Sequence, residues 1–212
     1  MKRIRRWLLA AIVLAPHLAG ATCASTDACL AAIDKAQAGT QTISARFTQI
    51  KHLSLLDEPL VSTGRFAFKR PDRMRLEIET PRPATILING RDIRIPGMTE
   101  SDKQQLAMTP MAAMFTELGA MFAGSADALR GHFEVTATPA DGAVTVTLTP
   151  TVPAWQRLFR TIRLRFVEPD FALASVQLDD ALGDRLDIAM SDVQRNQDLP
   201  DSLFDVVPPP AP

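Results

Sequence analysis

Three histidines, two cysteines and a scatter of carboxylates are the residues of this chain that could support covalent or acid–base chemistry. Their spacing argues against a catalytic centre. His17 falls in the N-terminal segment considered below, and neither His52 nor His132 stands at a metal-ligand spacing. No Gly-x-Ser-x-Gly elbow would present a nucleophilic serine, and neither Cys23 nor Cys29 has a histidine beside it in sequence. Asp179-Asp180 is an acidic pair in a turn, a setting that favours solvation over proton transfer. The expectation is a protein that binds and does not catalyse, with no metal and no cofactor.

Binding chemistry is better represented. Met111, Met114, Phe115, Leu118, Met121 and Phe122 recur at steps of three and four residues between Thr109 and Ala123. That spacing predicts a helix with a broad apolar stripe, capped by Thr109 and opened by Pro110. Two readings of it stand side by side. It is an ordinary core helix, or it is a surface that meets alkyl chains, since unbranched thioether side chains repack at low cost. Arg70 is the charged residue to watch. By parity it follows Gly64, Phe66 and Phe68, which points it toward the same side as those rings at the strand's end. A guanidinium there could hold the exposed carbonyls of a helix end, or it could be a solvated turn residue beside Asp72. Lys69 is expected to face the other way into solvent.

The elements that position these residues are mostly strands. Apart from the Met-rich stretch, helical periodicity occurs only over Thr26 to Ala38, with Cys29, Leu30, Ile33 and Ala36 on one stripe, Asp27 available as cap and Gly39 just past the end. Elsewhere the period is two. Ile43, Ala45 and Phe47 share a face, as do Gly64, Phe66 and Phe68. Met74, Leu76 and Ile78 alternate with Arg73, Arg75, Glu77 and Glu79, an apolar-in, charged-out strand. Ala84, Ile86 and Ile88 lead through Asn89-Gly90 to Ile93 and Ile95, and Phe133, Val135 and Ala137 lead through Asp141-Gly142 to Val144, Val146 and Leu148. Further strands follow around Ile162 to Phe166, Val176 to Leu178 and Leu186 to Met190. The fold class read from this is mainly β with helices (α+β). It would be a curled antiparallel sheet or incomplete β-barrel of about ten or eleven strands, with helices covering its concave face.

The N-terminus reads as an export signal. Lys2, Arg3, Arg5 and Arg6 precede a short apolar core from Trp7 to Ala15, and Ala19-Gly20-Ala21 offers small residues for cleavage. The apolar run is shorter than the ~20 residues a membrane span needs. The division is therefore 1–21 signal peptide, 22–207 a single domain, and 208–212 a Pro-rich tail. Cys23 and Cys29 fit the oxidising compartment this implies. Their spacing would allow a small-loop disulfide if Cys23 precedes the helix that carries Cys29, while Cys23 as a lipidated N-terminus is the rival reading. A formal net charge of −1 with no basic block in the mature chain argues against nucleic acid as a partner.

Within residues 43–90 three ordered pieces stand out: Ala45-Arg46-Phe47-Thr48-Gln49, then Gly64-Arg65-Phe66 running into Lys69-Arg70-Pro71, then a Pro-interrupted hairpin ending in Ile88-Asn89-Gly90. In order and spacing this stretch resembles the signature region of the LolA family, periplasmic carriers that ferry acylated lipoproteins to the outer membrane. The resemblance implies a monomer whose apolar concave face shelters acyl chains, with Phe47, Phe66, Phe68, Met74, Leu76, Ile78, Ile86 and Ile88 contributing to it. It also implies movable helices as a lid, Arg70 as their latch, an inner-membrane donor and an outer-membrane acceptor. The family often carries an aromatic, commonly Trp, near the position of Leu76, whereas this chain has no Tyr and only Trp7 and Trp155. That departure points to a divergent branch. Its cargo could be another acylated lipid or glycolipid, or the half-barrel could serve a sensor or interaction protein.

Overall fold

The computed structural model describes residues 23–90, 92–96, 99, 101 and 129–205. The proposed signal segment, the Met-rich stretch at 109–123 and the Pro-rich tail lie outside the described residues. Helix α1 spans Thr26–Gln37. Ten strands follow: β1 Thr42–His52, β2 Leu60–Lys69, β3 Arg73–Thr80, β4 Ala84–Asn89, β5 Asp92–Arg94, β6 Phe133–Ala140, β7 Ala143–Pro150, β8 Phe159–Val167, β9 Ala172–Asp180 and β10 Arg185–Arg195.

All ten strands form one antiparallel sheet in the order β5-β4-β3-β2-β1-β10-β9-β8-β7-β6. The two halves of the chain are thus separate meanders joined where β1 pairs with β10, and the sheet is open, with β5 and β6 as its edges. The turns follow the expected chemistry. Asp141 and Gly142 both take positive φ, at 51° and 67°, giving the two-residue turn whose twist suits a hairpin. Two irregularities bend the centre of the sheet: a register shift between β1 and β10 at Ser44/Arg46, and another between β2 and β3 at Thr63/Gly64.

Helix α1 is capped by the Ser25 side chain, which accepts from the Ala28 amide. Asp27, the expected cap, sits instead in the first turn, where its charge favours the positive helix end, and pairs with Arg130. Cys23 lies just before the helix and is joined to Cys29 by a disulfide, which leaves Cys23 no thiol to carry a lipid. Cys29, Leu30 and Ile33 bury one stripe of α1 in the main hydrophobic cluster. The Thr26 hydroxyl accepts from the Ala137 amide of edge strand β6.

On the opposite side of the sheet the chain after β10 forms a strap, residues 197–205, ending in a 3-10 turn at Asp201–Phe204. The Thr42 hydroxyl donates to the Gln197 carbonyl, Arg75 to that of Leu203 and Asn89 to that of Phe204, whose ring is buried. Lys69 is no solvated residue: its ammonium donates to the Leu199 carbonyl and to Asp201, both at 2.7 Å, and Arg73 reaches Asp201 at 3.1 Å. The hydrogen bond from Lys69, then the charges of Lys69 and Arg73, hold the Asp201 carboxyl below its ordinary pKa. A carboxylate favoured in the folded state adds stability above its ordinary pKa and loses it as pH falls through the lowered folded value. Acidification through that range should therefore increase amide exchange in residues 197–205, and Asp201→Asn should flatten the dependence. An unchanged acid profile in the variant would contradict the assignment.

Candidate ligand-binding face

Cross-strand register places the alternating apolar residues on one side. Phe47 pairs with Gly64 and Met190, Phe66 with Ala45 and Leu76, and Phe68 with Ile43 and Met74. Met74 and Leu76 in turn face Ile88 and Ile86 across β4. In the other half Leu164 pairs with Val146 and Val176, and Ile162 with Leu148 and Leu178. The rows join through Leu186 and Ile188, so one apolar face runs across the sheet. Phe47, Phe66, Phe68, Met74, Ile86 and Ile88 are buried in its cluster, and Leu76 and Ile78 pack against it partly buried. Met111, Met114, Phe115, Leu118, Met121 and Phe122 lie outside the described residues.

The aromatic part of this face depends on a close approach at Gly64. A Cβ there would stand 2.0 Å from the Glu77 carbonyl oxygen and 2.7 Å from the Phe47 ring. Gly64 thus lets the Phe47 ring settle against bare backbone across β1 and β2, a reason for glycine in mid-strand.

At one end of the face, a polar clamp gathers four segments. Arg70 Nε donates to the Thr40 carbonyl at 2.6 Å and Nη2 to that of Gln37 at 3.2 Å, while the Arg70 amide donates to Gln41. The guanidinium therefore adds a charged donor to the Gln37 carbonyl, which also accepts from the Thr40 amide, and serves the Thr40 carbonyl just beyond the C-terminal end of α1, where positive charge is favoured. Asn196, at φ 56°, accepts from the Gln41 amide and donates to the Gly39 carbonyl. The Gln37 side chain, itself buried, donates to the Phe171 carbonyl in the β8–β9 turn. Helix end, β2–β3 turn, β8–β9 turn and the start of the strap are thereby tied together.

Other charged groups have structural partners. Asp179 feels burial, which would raise its pKa, but hydrogen bonds from Arg163 and Thr161 outweigh it and hold the carboxyl low. Asp180 caps the amides of Leu182 and Asp184. Trp155 packs on Phe133 and Phe159 at 5.2 and 5.8 Å between ring centres. A half-open groove of about 380 Å³ lies beneath the strap, lined by Phe66, Ala67, Leu199 and Leu203 together with charged residues such as Arg46 and Glu77. Sequence reasoning missed that strap; its only signal was Leu199, Leu203 and Phe204 within a Pro- and Asp-rich run.

This architecture has relatives. Residues 38–207 match the family model described as outer membrane lipoprotein carrier protein LolA. The chain belongs to the LolA family. It is similar to an outer-membrane lipoprotein carrier protein of Azotobacter vinelandii, 28% identical over 206 residues, spanning 97% of this chain and 94% of that one. A protein of the same name from Chromohalobacter salexigens is 30% identical over 142 residues; the chain spans 64% of that relative's length and 66% of its own. Among solved structures, an uncharacterized conserved protein of Thermus thermophilus shares the fold with TM-score 0.52 at 10% identity, covering 86% of this chain and 93% of that one. MucB in the Pseudomonas aeruginosa MucA/MucB complex does so with TM-score 0.50 at 12% identity, covering 84% of this chain and 59% of that one.

The Gly64 contact gives a direct test of the face. Gly64→Ala should cost roughly 3 kcal/mol or more, because backbone on one side and a buried ring on the other cannot yield cheaply. Chemical denaturation measures it, and a loss well below 1 kcal/mol would show that the close approach is not needed.

Proposed function

We propose that the protein is a non-enzymatic periplasmic carrier that shelters the acyl chains of lipoproteins on the apolar face of its sheet and delivers them toward the outer membrane. The observation that carries this reading is the face itself: apolar side chains from all ten strands form one cluster in a member of a family described as lipoprotein carriers. Phe47, Phe66, Phe68, Met74, Leu76, Ile78, Ile86 and Ile88 supply one half of the shelter. On sequence grounds Met111, Met114, Phe115, Leu118, Met121 and Phe122 supply an adaptable cover, and Arg70 acts as its latch. Export with cleavage near Ala21 places the monomer between an inner-membrane donor and an outer-membrane acceptor.

The energetics suit a carrier. Burying an acyl chain of about fourteen methylenes is worth roughly 11 kcal/mol at ~0.8 kcal/mol per methylene. A carrier must recover only part of that, because it also has to let go. Side chains such as Leu76 and Ile78, partly rather than fully buried, suit a surface that trades protein contacts for cargo contacts.

Mass spectrometry of material extracted from protein purified out of the periplasm should find lipoproteins or diacyl species. Glycolipids instead would redirect the cargo assignment, and a consistently empty protein would oppose the carrier reading. Leu76→Glu should lower uptake of an acyl probe by at least tenfold, the effect expected for a charge set in an apolar site. Circular dichroism should show the fold retained. Arg70→Leu should change release to an acceptor more than uptake; equal transfer rates would remove the latch role.

A further inference from the structure

The five exposed large hydrophobic residues among the described residues are Leu55, Leu56, Leu60, Val61 and Leu182. They are not scattered. Leu55 to Val61 belong to the β1–β2 connection and its emergence into β2, and Leu182 to the β9–β10 turn. The two connections are neighbours, because His52 at the end of β1 pairs with Arg185 at the start of β10. They stand at the end of the sheet opposite the Arg70 clamp.

The backbone of these tips is ordered by local hydrogen bonds. The Ser54 amide and hydroxyl donate to Asp184 at 2.8 and 3.0 Å, which ties one turn to the other. Leu56 closes a turn on the Leu53 carbonyl, and Asp180 accepts from the Leu182 and Asp184 amides. Leu55 is 94% exposed and Leu182 84% exposed despite this ordered backbone. A folded chain that fixes leucines in water has a use for them elsewhere, since clustered exposed apolar residues mark contact surfaces.

We propose that these paired tips dock the protein on a lipid bilayer by inserting their leucines between headgroups. The choice of a bilayer rests on the acyl-carrier reading and on three observations. The residues are Leu and Val, types under-represented among the anchors of protein–protein interfaces, where Trp, Tyr and Arg dominate. They stand together on two adjacent turns at one end of the sheet, where apolar side chains can enter a headgroup layer without a complementary pocket. The charges beside them, Lys51 and Arg185 against Asp57, Glu58, Asp180 and Asp184, carry both signs with a small acidic excess, so the tips offer no basic patch and attachment would rest on the leucines. The tips also continue the sheltering face: the inward row of β2 runs Phe68, Phe66, Gly64, Ser62 and then Leu60. A carrier docked there would present the end of that row to the membrane from which acyl chains come.

Flotation of the processed protein with vesicles of phosphatidylcholine, alone or with phosphatidylglycerol, tests this. The wild type should float with both, with little loss as ionic strength rises. The Leu55→Ser/Leu182→Ser double variant should partition at least about tenfold less, the effect of removing one buried leucine's worth of apolar surface or more. Its thermal midpoint and its uptake of a soluble fluorescent fatty acid should be unchanged. Wild-type protein that stays with the soluble fraction overturns the inference, as does a double variant that floats equally well. Flotation only with vesicles carrying membrane proteins also overturns it and assigns the tips to a protein. Fatty-acid uptake separates the two readings: uptake without flotation retains the carrier and removes the docking, while flotation without uptake removes the carrier.

Discussion

A single sheet has two faces and this chain makes only one of them thoroughly apolar. Alternation along ten antiparallel strands sends Phe47, Phe66, Met74, Val146, Leu164 and their neighbours to the same side, and the result is a continuous apolar surface. Water cannot be left against such a surface, so everything else in the architecture answers to it. Helix α1 covers part with Cys29, Leu30 and Ile33. The chain's place in a family described as outer membrane lipoprotein carrier proteins fits the proposal that this face shelters acyl chains.

The outer face shows the complementary solution. There β3 carries Arg75 and Glu77 as an ion pair, and strap residues are held mainly by hydrogen bonds from Arg75, Asn89 and Lys69 to backbone carbonyls. Such contacts fix position without demanding a large buried area. Phe204 is the exception, a buried ring that anchors the end of the strap. The clamp around Arg70 uses the same logic at the sheet's end. A charged fork serves carbonyls at and just beyond the end of α1, a task that an apolar contact could not perform.

How far these arrangements were legible varied with their physics. Period-two alternation and the Asp141-Gly142 turn displayed the strands, because both signals are local, while the expected Asn89-Gly90 turn lies one residue on, Asn89 still pairing with Asp92. Parity aimed Arg70 at the apolar side of the sheet's end, and there its donors reach the carbonyls of Gln37 and Thr40 at the end of α1, a helix that the sequence did not single out for it. Contacts distant in sequence were opaque. Nothing near Lys69 announces that Asp201 will lie beside it, and Ser25 competes with Asp27 for the cap through backbone geometry that composition does not encode. Leu55, Leu56, Leu60 and Val61 were visible as letters among Asp57, Glu58 and Pro59, but only the pairing of β1 with β10 brings Leu182 alongside them.

The two ends of the sheet differ in kind, and the difference bears on how a carrier could work. At the Arg70 end, short hydrogen bonds join α1, two turns and the strap, so that local opening would break several charged or buried contacts at once. At the other end the two tips are tied to each other by the Ser54–Asp184 bonds, both exposed. Bonds of that sort lend little resistance, since water replaces them readily. Local stability follows such contacts. On the carrier reading, cargo therefore meets a face held firmly at the Arg70 end and more loosely at the other, so the firmness of the Arg70 end bears on how readily cargo leaves.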